Sequence, residues 1–141
     1  MNNFKEQIQK EISTTLAIDF DGVIHKNSKG YHDGTIYDDP IDGTKSALKD
    51  LSEKYALIIY TCKGNPERSL INGKTGTELI WEWLEKHDLK QYISDVTYTK
   101  PRALFYIDDK AITFDSWGNV WSKIRRYELV NKDKDIDITK F

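Results

Sequence analysis

The sequence predicts an α/β protein built on a doubly wound parallel sheet. Three short apolar runs carry that prediction: Leu16-Ala17-Ile18 ending on Asp19, Ala56 to Tyr60 ending on Thr61, and Ala103 to Ile107 ending on Asp108. Each is too short for a helix and lacks the alternation of a strand with one wet face, so each reads as a strand buried on both faces. Helical patterns fall between them, and strands that alternate with helices make a parallel sheet joined by crossovers.

In chain order, Phe4, Ile8 and Ile12 recur at helical spacing and predict a short amphipathic helix over 3–12. A second helix follows from Ala47, Leu48 and Leu51 within 44–54. A third, over 75–87, turns Leu79, Ile80, Trp83 and Leu84 inward, and Thr75 and Glu78 have the spacing of a capping box at its start. A weaker strand is expected over 95–98 and a last helix over 119–127, with Val120, Ile124 and Tyr127 on one face. Trp83 reads as core and Trp81, on nearly the opposite side of its helix, as surface or interface. Trp117 and Trp121, four apart, are expected to share a face packed on the sheet. The polar stretch 26–40, punctuated by Gly30 and Gly34, predicts a β-hairpin flap.

A chain of 141 residues suits a single domain, since domains cluster at roughly 100–150 residues. Its core is expected over about 14–127, followed by a charged tail, 128–141, in which Ile136 and Ile138 would suit an edge strand. With 21 Lys and Arg against 23 Asp and Glu, no global field draws the chain to nucleic acid or anionic lipid. The one cysteine, Cys62, excludes an internal disulfide and a zinc cage and fits a reducing compartment. The start MNNFKEQIQKE lacks the apolar stretch of a secretory signal, and no apolar run is long enough to span a bilayer, so the expected location is cytoplasmic with no membrane partner.

The chemistry is concentrated at strand ends. Asp19-Phe20-Asp21-Gly22 sets two carboxylates where a buried strand stops, and like charges that close need a compensating cation. Carboxylate oxygens, backbone carbonyls and water suit Mg²⁺. A second pair, Asp108-Asp109, ends another apolar strand. Ligands of doubly wound sheets bind outside the carboxyl ends of the strands, where Asp19, Thr61 and Asp108 are expected to gather, with Lys100 just ahead of the strand that leads to Asp108.

These segments, LAIDFDGVIH, YTC, TKPRALF and YIDDKAITF, resemble motifs one to four of the haloacid dehalogenase (HAD) superfamily of phosphatases, in the family's chain order and over about 14–127. Val23 departs from the pattern, since most members carry Thr there. The resemblance implies a three-layer Rossmann-like, HAD-like domain of the small branch that has no cap domain, covered by the flap alone. It implies a Mg²⁺-dependent phosphohydrolase, a phosphomonoesterase in which Asp19 attacks phosphorus to form an aspartyl phosphate and Asp21 protonates the leaving oxygen, then serves as base for the hydrolytic water. The metal would be held by the Asp19 carboxylate, the Asp21 backbone carbonyl and Asp108, with Asp109 behind them. Thr61 and Lys100 would bind the phosphoryl oxygens. The implied partner is a phosphorylated substrate, and an uncapped site would admit a nucleotide, a nucleic-acid end or a phosphoprotein, unless a second copy in a homo-oligomer supplies the cover.

Two other readings stay open on the residues. Cys62 to Arg68, CKGNPER, matches the C-x5-R phosphate loop of cysteine phosphatases, although Thr61 stands where that loop is usually preceded by His and Pro66 interrupts it. A binding module that keeps a metal pocket without turnover would also fit the four Trp and eight Tyr. His25 and His32 lie in or beside the flap, within reach of substrate, while His87 sits at a helix end where it answers the dipole.

Overall fold

Thr15–Ile18 (β1), Ala56–Tyr60 (β2), Asp95–Thr97 (β3) and Phe105–Ile107 (β4) form one all-parallel sheet in the order β3-β2-β1-β4. The computed structural model describes residues 3–132. Its helices are Asn3–Ser13 (α1), Thr44–Ser52 (α2), Gly76–Lys86 (α3) and Trp117–Asn131 (α4). The α/β class and the parallel sheet are as expected, in an arrangement compatible with a Rossmann-like fold. Among the described residues no helix is long and apolar enough to cross a membrane.

The chain divides after Asp109 into two compact units, Met1–Asp109 and Lys110–Phe141. In the first, α2 packs on β2 and α3 on β3. Leu16, Ile18, Leu57, Ile59, Ile80, Leu84 and Leu89 are buried in one cluster with Phe20 and Ile24. Each such aliphatic side chain stabilises the fold by about 1.5–3 kcal/mol relative to exposure. The expected capping box is present at α3: the Thr75 side chain accepts from the Glu78 amide, and the Glu78 side chain reaches back to the Thr75 amide. Trp83 is in the core as expected, whereas Trp81, expected at the surface, is partly buried against the same cluster.

Two expectations for this unit are corrected. The strand ending at Ile107 is not buried: β4 leaves Phe105, Tyr106 and Ile107 all exposed. Among the described residues it is an outer strand with a single neighbour, β1, so its apolar sequence reflects half of a sheet environment. Nor is the stretch 26–40 a β-hairpin. It is a series of turns whose ends meet through an antiparallel bridge between His25 and Pro40. Side chains take the amides that strand pairing would have used: Ser28 N–H donates to Asp38 Oδ2 (2.6 Å), Thr35 N–H to Asp33 Oδ1 (3.0 Å) and Lys29 N–H to the Tyr37 hydroxyl (2.7 Å). Asp and Tyr acceptors at those positions outcompete a ladder.

In the second unit α4 starts at Ser116, whose hydroxyl accepts from the Asn119 amide at 3.2 Å. The helix is longer at both ends than the periodicity predicts. Trp117 and Trp121, expected on a packed face, are 78% and 60% exposed. The contact made by Trp117 is local, an edge-to-face pairing with Phe114 at 5.2 Å. The proposed edge strand at Ile136 and Ile138 lies outside the described residues.

Candidate active site

Strand register brings the polar strand ends to one edge of the sheet. Ile18 pairs with Ile59 on one side and Ile107 on the other, so the residues that follow, Asp19, Tyr60-Thr61 and Asp108-Asp109, emerge together. Strand order reverses at β1: the chain runs outward through β2 and β3, then returns to β1's other flank as β4. That reversal opens the crevice in which ligands of such sheets bind. Asp19 and Asp108-Asp109 stand on its two lips.

Oxygens of Asp19, Asp108 and Asp109 lie within 4.8 Å of one another, with Asp19 half-buried and the other two exposed. Burial pushes the Asp19 carboxyl up to about 7, and the charges of Asp108, Asp109 and Asp21 push the same way. The Phe20 amide, which donates to Asp19 Oδ1 at 2.8 Å, opposes them. Three converging carboxylates with one driven toward protonation form a donor set that fits a hard divalent cation, which would relieve the repulsion. Gly22 makes the arrangement sterically feasible. Its φ of 86° is a left-handed value that side chains resist, and a Cβ at this position would collide with the Asp109 carboxyl. Asp109, expected behind the ligands, is a full member of the cluster.

Asp21 is turned elsewhere. Its Oδ2 is 2.9 Å from the Lys63 ammonium and its Oδ1 2.8 Å from His25 Nδ1. Burial would raise its pKa, but the His25 hydrogen bond and the Lys63 charge outweigh burial and hold it below the usual carboxylate range. His25 is fully buried, and the backbone N–H of Asp38 donates to its Nε2 at 3.1 Å. With Nε2 accepting, the ring proton is on Nδ1 and is donated to Asp21. The indole Nε1 of Trp83 donates to the Asp38 carbonyl at 2.9 Å, so the turn-rich segment is tied to the core and to Asp21 through one residue. No family model, curated protein or solved structure matches the chain.

Thr61 is buried at the end of β2. Its hydroxyl oxygen accepts from the Lys63 amide at 3.3 Å, which leaves the hydroxyl proton for another acceptor. Lys100 is exposed, its ammonium 4.8 Å from the Tyr106 ring centroid. The buried cation beside the carboxylates is Lys63, a place the motif resemblance gives to Lys100, and His25, expected within reach of substrate, is turned to Asp21 and the Asp38 amide. Lys63 lies in the short 3₁₀ turn Cys62–Gly64, against which the first residue of α3, Gly76, packs so closely that a Cβ would overlap the Lys63 carbonyl. Lysine is rarely buried without a partner. The sequence signal for Lys63 was therefore a Lys followed by a Gly in a loop at a strand's carboxyl end, with another Gly at the next helix start. His32 adopts a left-handed φ of 54° with its ring against Tyr37, and His87 caps α3 with its ring 4.6 Å from that of Trp83.

A pH prediction follows. Asp19 is raised above its unfolded value of 3.8 to about 7, so between those values the folded, metal-free protein binds more protons and loses stability as pH rises. Asp21 is depressed, so its contribution is already complete above the unfolded value and is lost only in acid. His87 is lowered by burial and acts in the opposite sense to Asp19 near its ordinary value of 6.5, but equally with and without metal. The increment in Tm caused by Mg²⁺ should therefore grow between pH 5 and pH 8. Differential scanning fluorimetry in metal-free and Mg²⁺ buffers measures it, and an increment that is absent or that shrinks with pH would contradict the cluster's role.

Proposed function

We propose that this chain is a Mg²⁺-dependent phosphomonoesterase of HAD type that works through an aspartyl phosphate on Asp19. The observation that carries the reading is the convergence of Asp19, Asp108 and Asp109 at the switch point of a parallel sheet, with an ion-paired Asp21 two residues beyond the nucleophile. Asp19, Asp108 and Asp109 would hold the cation, joined by the Asp21 backbone carbonyl. When bound, the cation neutralises charge on the transferring group and keeps Asp19 ionised as a nucleophile.

The chain's own groups do the rest. The Asp19 oxygen not engaged by the Phe20 amide would attack phosphorus as the ester oxygen leaves. The Thr61 hydroxyl, held at its oxygen by the Lys63 amide, is set to donate to a phosphoryl oxygen. Lys63 would offset charge built up in the transition state. Asp21 in its ionised form suits the second half, when it takes a proton from the water that hydrolyses the intermediate. In the first half it must be protonated, which an arriving phosphate dianion favours by repelling the carboxylate and competing for Lys63.

Hydrolysis of p-nitrophenyl phosphate tests the reading: activity should require Mg²⁺ and stop in excess EDTA, and full activity in chelator would overturn it. One contact favours the cysteine-phosphatase reading, Arg68 Nη1 lying 3.7 Å from the exposed Cys62 thiol. Cys62→Ser should keep most of the rate, because the thiol has no step to perform; a loss of about a hundredfold or more would give that reading precedence.

A further inference from the structure

A cleft of ≈ 260 Å³ shares one residue, Lys63, with the candidate site. The Lys63 ammonium is 2.9 Å from Asp21 Oδ2, so this residue links the cleft's lining to the site. The turn-rich segment supplies Tyr31 and Ile36 to the lining, and Ile71 and Leu79 add further apolar surface. Gly34, at φ 84°, lets this segment come down on the chain opposite: a Cβ there would lie 2.8 Å from Ile71 Cδ1 and 3.2 Å from the Tyr31 hydroxyl. Polar groups in the lining include Arg68, whose guanidinium is 5.8 Å from the Tyr31 ring centroid, and Glu67.

Size and chemistry together narrow the occupant. Ligand pockets run to about 300–1,000 Å³, so this cleft falls just below that range and suits one ring system rather than a folded protein or a length of polymer. A sugar would set hydroxyls against Ile36, Ile71 and Leu79 without partners. A lipid tail would bury Arg68 and Glu67 unpaired. A nucleobase has apolar faces for the Tyr31 ring and the aliphatic surface, and polar edges for the guanidinium and the carboxylate. We propose that the cleft binds the base of a nucleoside monophosphate whose phosphate sits at Asp19, a proposal that rests on the phosphohydrolase reading. It replaces the open-ended choice among carriers with a small one.

The test compares adenosine 5′-monophosphate with ribose 5-phosphate, which carries the same phosphate and sugar without the base. The wild-type protein should prefer the nucleotide in kcat/KM by about tenfold or more, the scale of one base stacked on an aromatic ring. Tyr31→Ala should collapse that ratio mainly through KM, Tyr31→Phe should retain it because the ring remains, and Arg68→Ala should lower it. A wild-type ratio near one, or a ratio that Tyr31→Ala leaves intact, would overturn the proposal. Calorimetric titration with adenosine 5′-monophosphate separates this proposal from the reading beneath it. Tyr31-dependent binding with no hydrolysis of any phosphate ester would keep the nucleotide cleft and remove the hydrolase, whereas hydrolysis of both esters without Tyr31-dependent binding would do the reverse.

Discussion

Replacing Asp19 with Asn is expected to cut turnover by about a thousandfold or more while making the metal-free protein more stable at pH 8. The first effect follows from the loss of the attacking oxygen: a neutral amide cannot form the covalent intermediate, and removal of a nucleophile typically leaves only the rate supplied by binding and fixed charges. The second follows from the environment of Asp19. Burial and the surrounding carboxylates push it to about 7, so at pH 8 the protein carries a charge its surroundings disfavour, and the near-isosteric amide removes that cost. The amide oxygen can still accept from the Phe20 N–H. Steady-state kinetics with p-nitrophenyl phosphate and melting curves in EDTA check the pair, and Mg²⁺ should stabilise the variant less than the wild type. Retained turnover would remove Asp19 as nucleophile. Lost turnover with lowered stability would mean that the carboxylate is a structural anchor.

Lys63→Met should be nearly as damaging to the rate, by about a hundred- to a thousandfold, the range observed when one fixed donor to a developing charge is deleted. Met preserves most of the aliphatic stem and its burial, so packing is largely kept and the change is electrostatic. Asp21 then retains only the His25 hydrogen bond. Breaking a fully buried pair costs about 3–5 kcal/mol, but with a quarter of the Asp21 side chain exposed, 25% against 9% for Lys63, roughly 1–3 kcal/mol is expected. Lys63→Arg should recover part of the rate if charge is what matters. Because Lys100 stacks on Tyr106, Lys100→Met offers the contrast: a loss equal to that of Lys63→Met would assign the phosphate charge to Lys100 as well.

The sheet was legible because burial writes itself into composition: the runs at β1 and β2 and the capping box at α3 need only neighbours in sequence to be recognised. The same rule misread β4, whose Phe105-Tyr106-Ile107 is as apolar as a central strand but is exposed, at the rim of the sheet formed by the described residues. At the site, the carboxylates were found through their pairing in sequence, Asp19 with Asp21 and Asp108 with Asp109. Lys63 as the cation and His25 as the partner of Asp21 were not, since each role comes from a contact set by the fold: Lys63 from the close approach of Gly76, and His25 from an amide thirteen residues away at Asp38. Lys100 stood in a motif-like position in sequence, yet the charge paired with Asp21 comes from another loop.

The Asp38 amide carries a reporter within itself. Its proton points at a ring nitrogen that water does not reach, and the other end of that ring holds Asp21. Solvent deuterium can replace that proton only when the bond to His25 opens, and opening releases the imidazole from its fixed tautomer. Exchange at this single backbone position therefore counts how often the turn-rich segment lets go of His25, and a ligand that settles Asp21 should slow the count without touching Asp38.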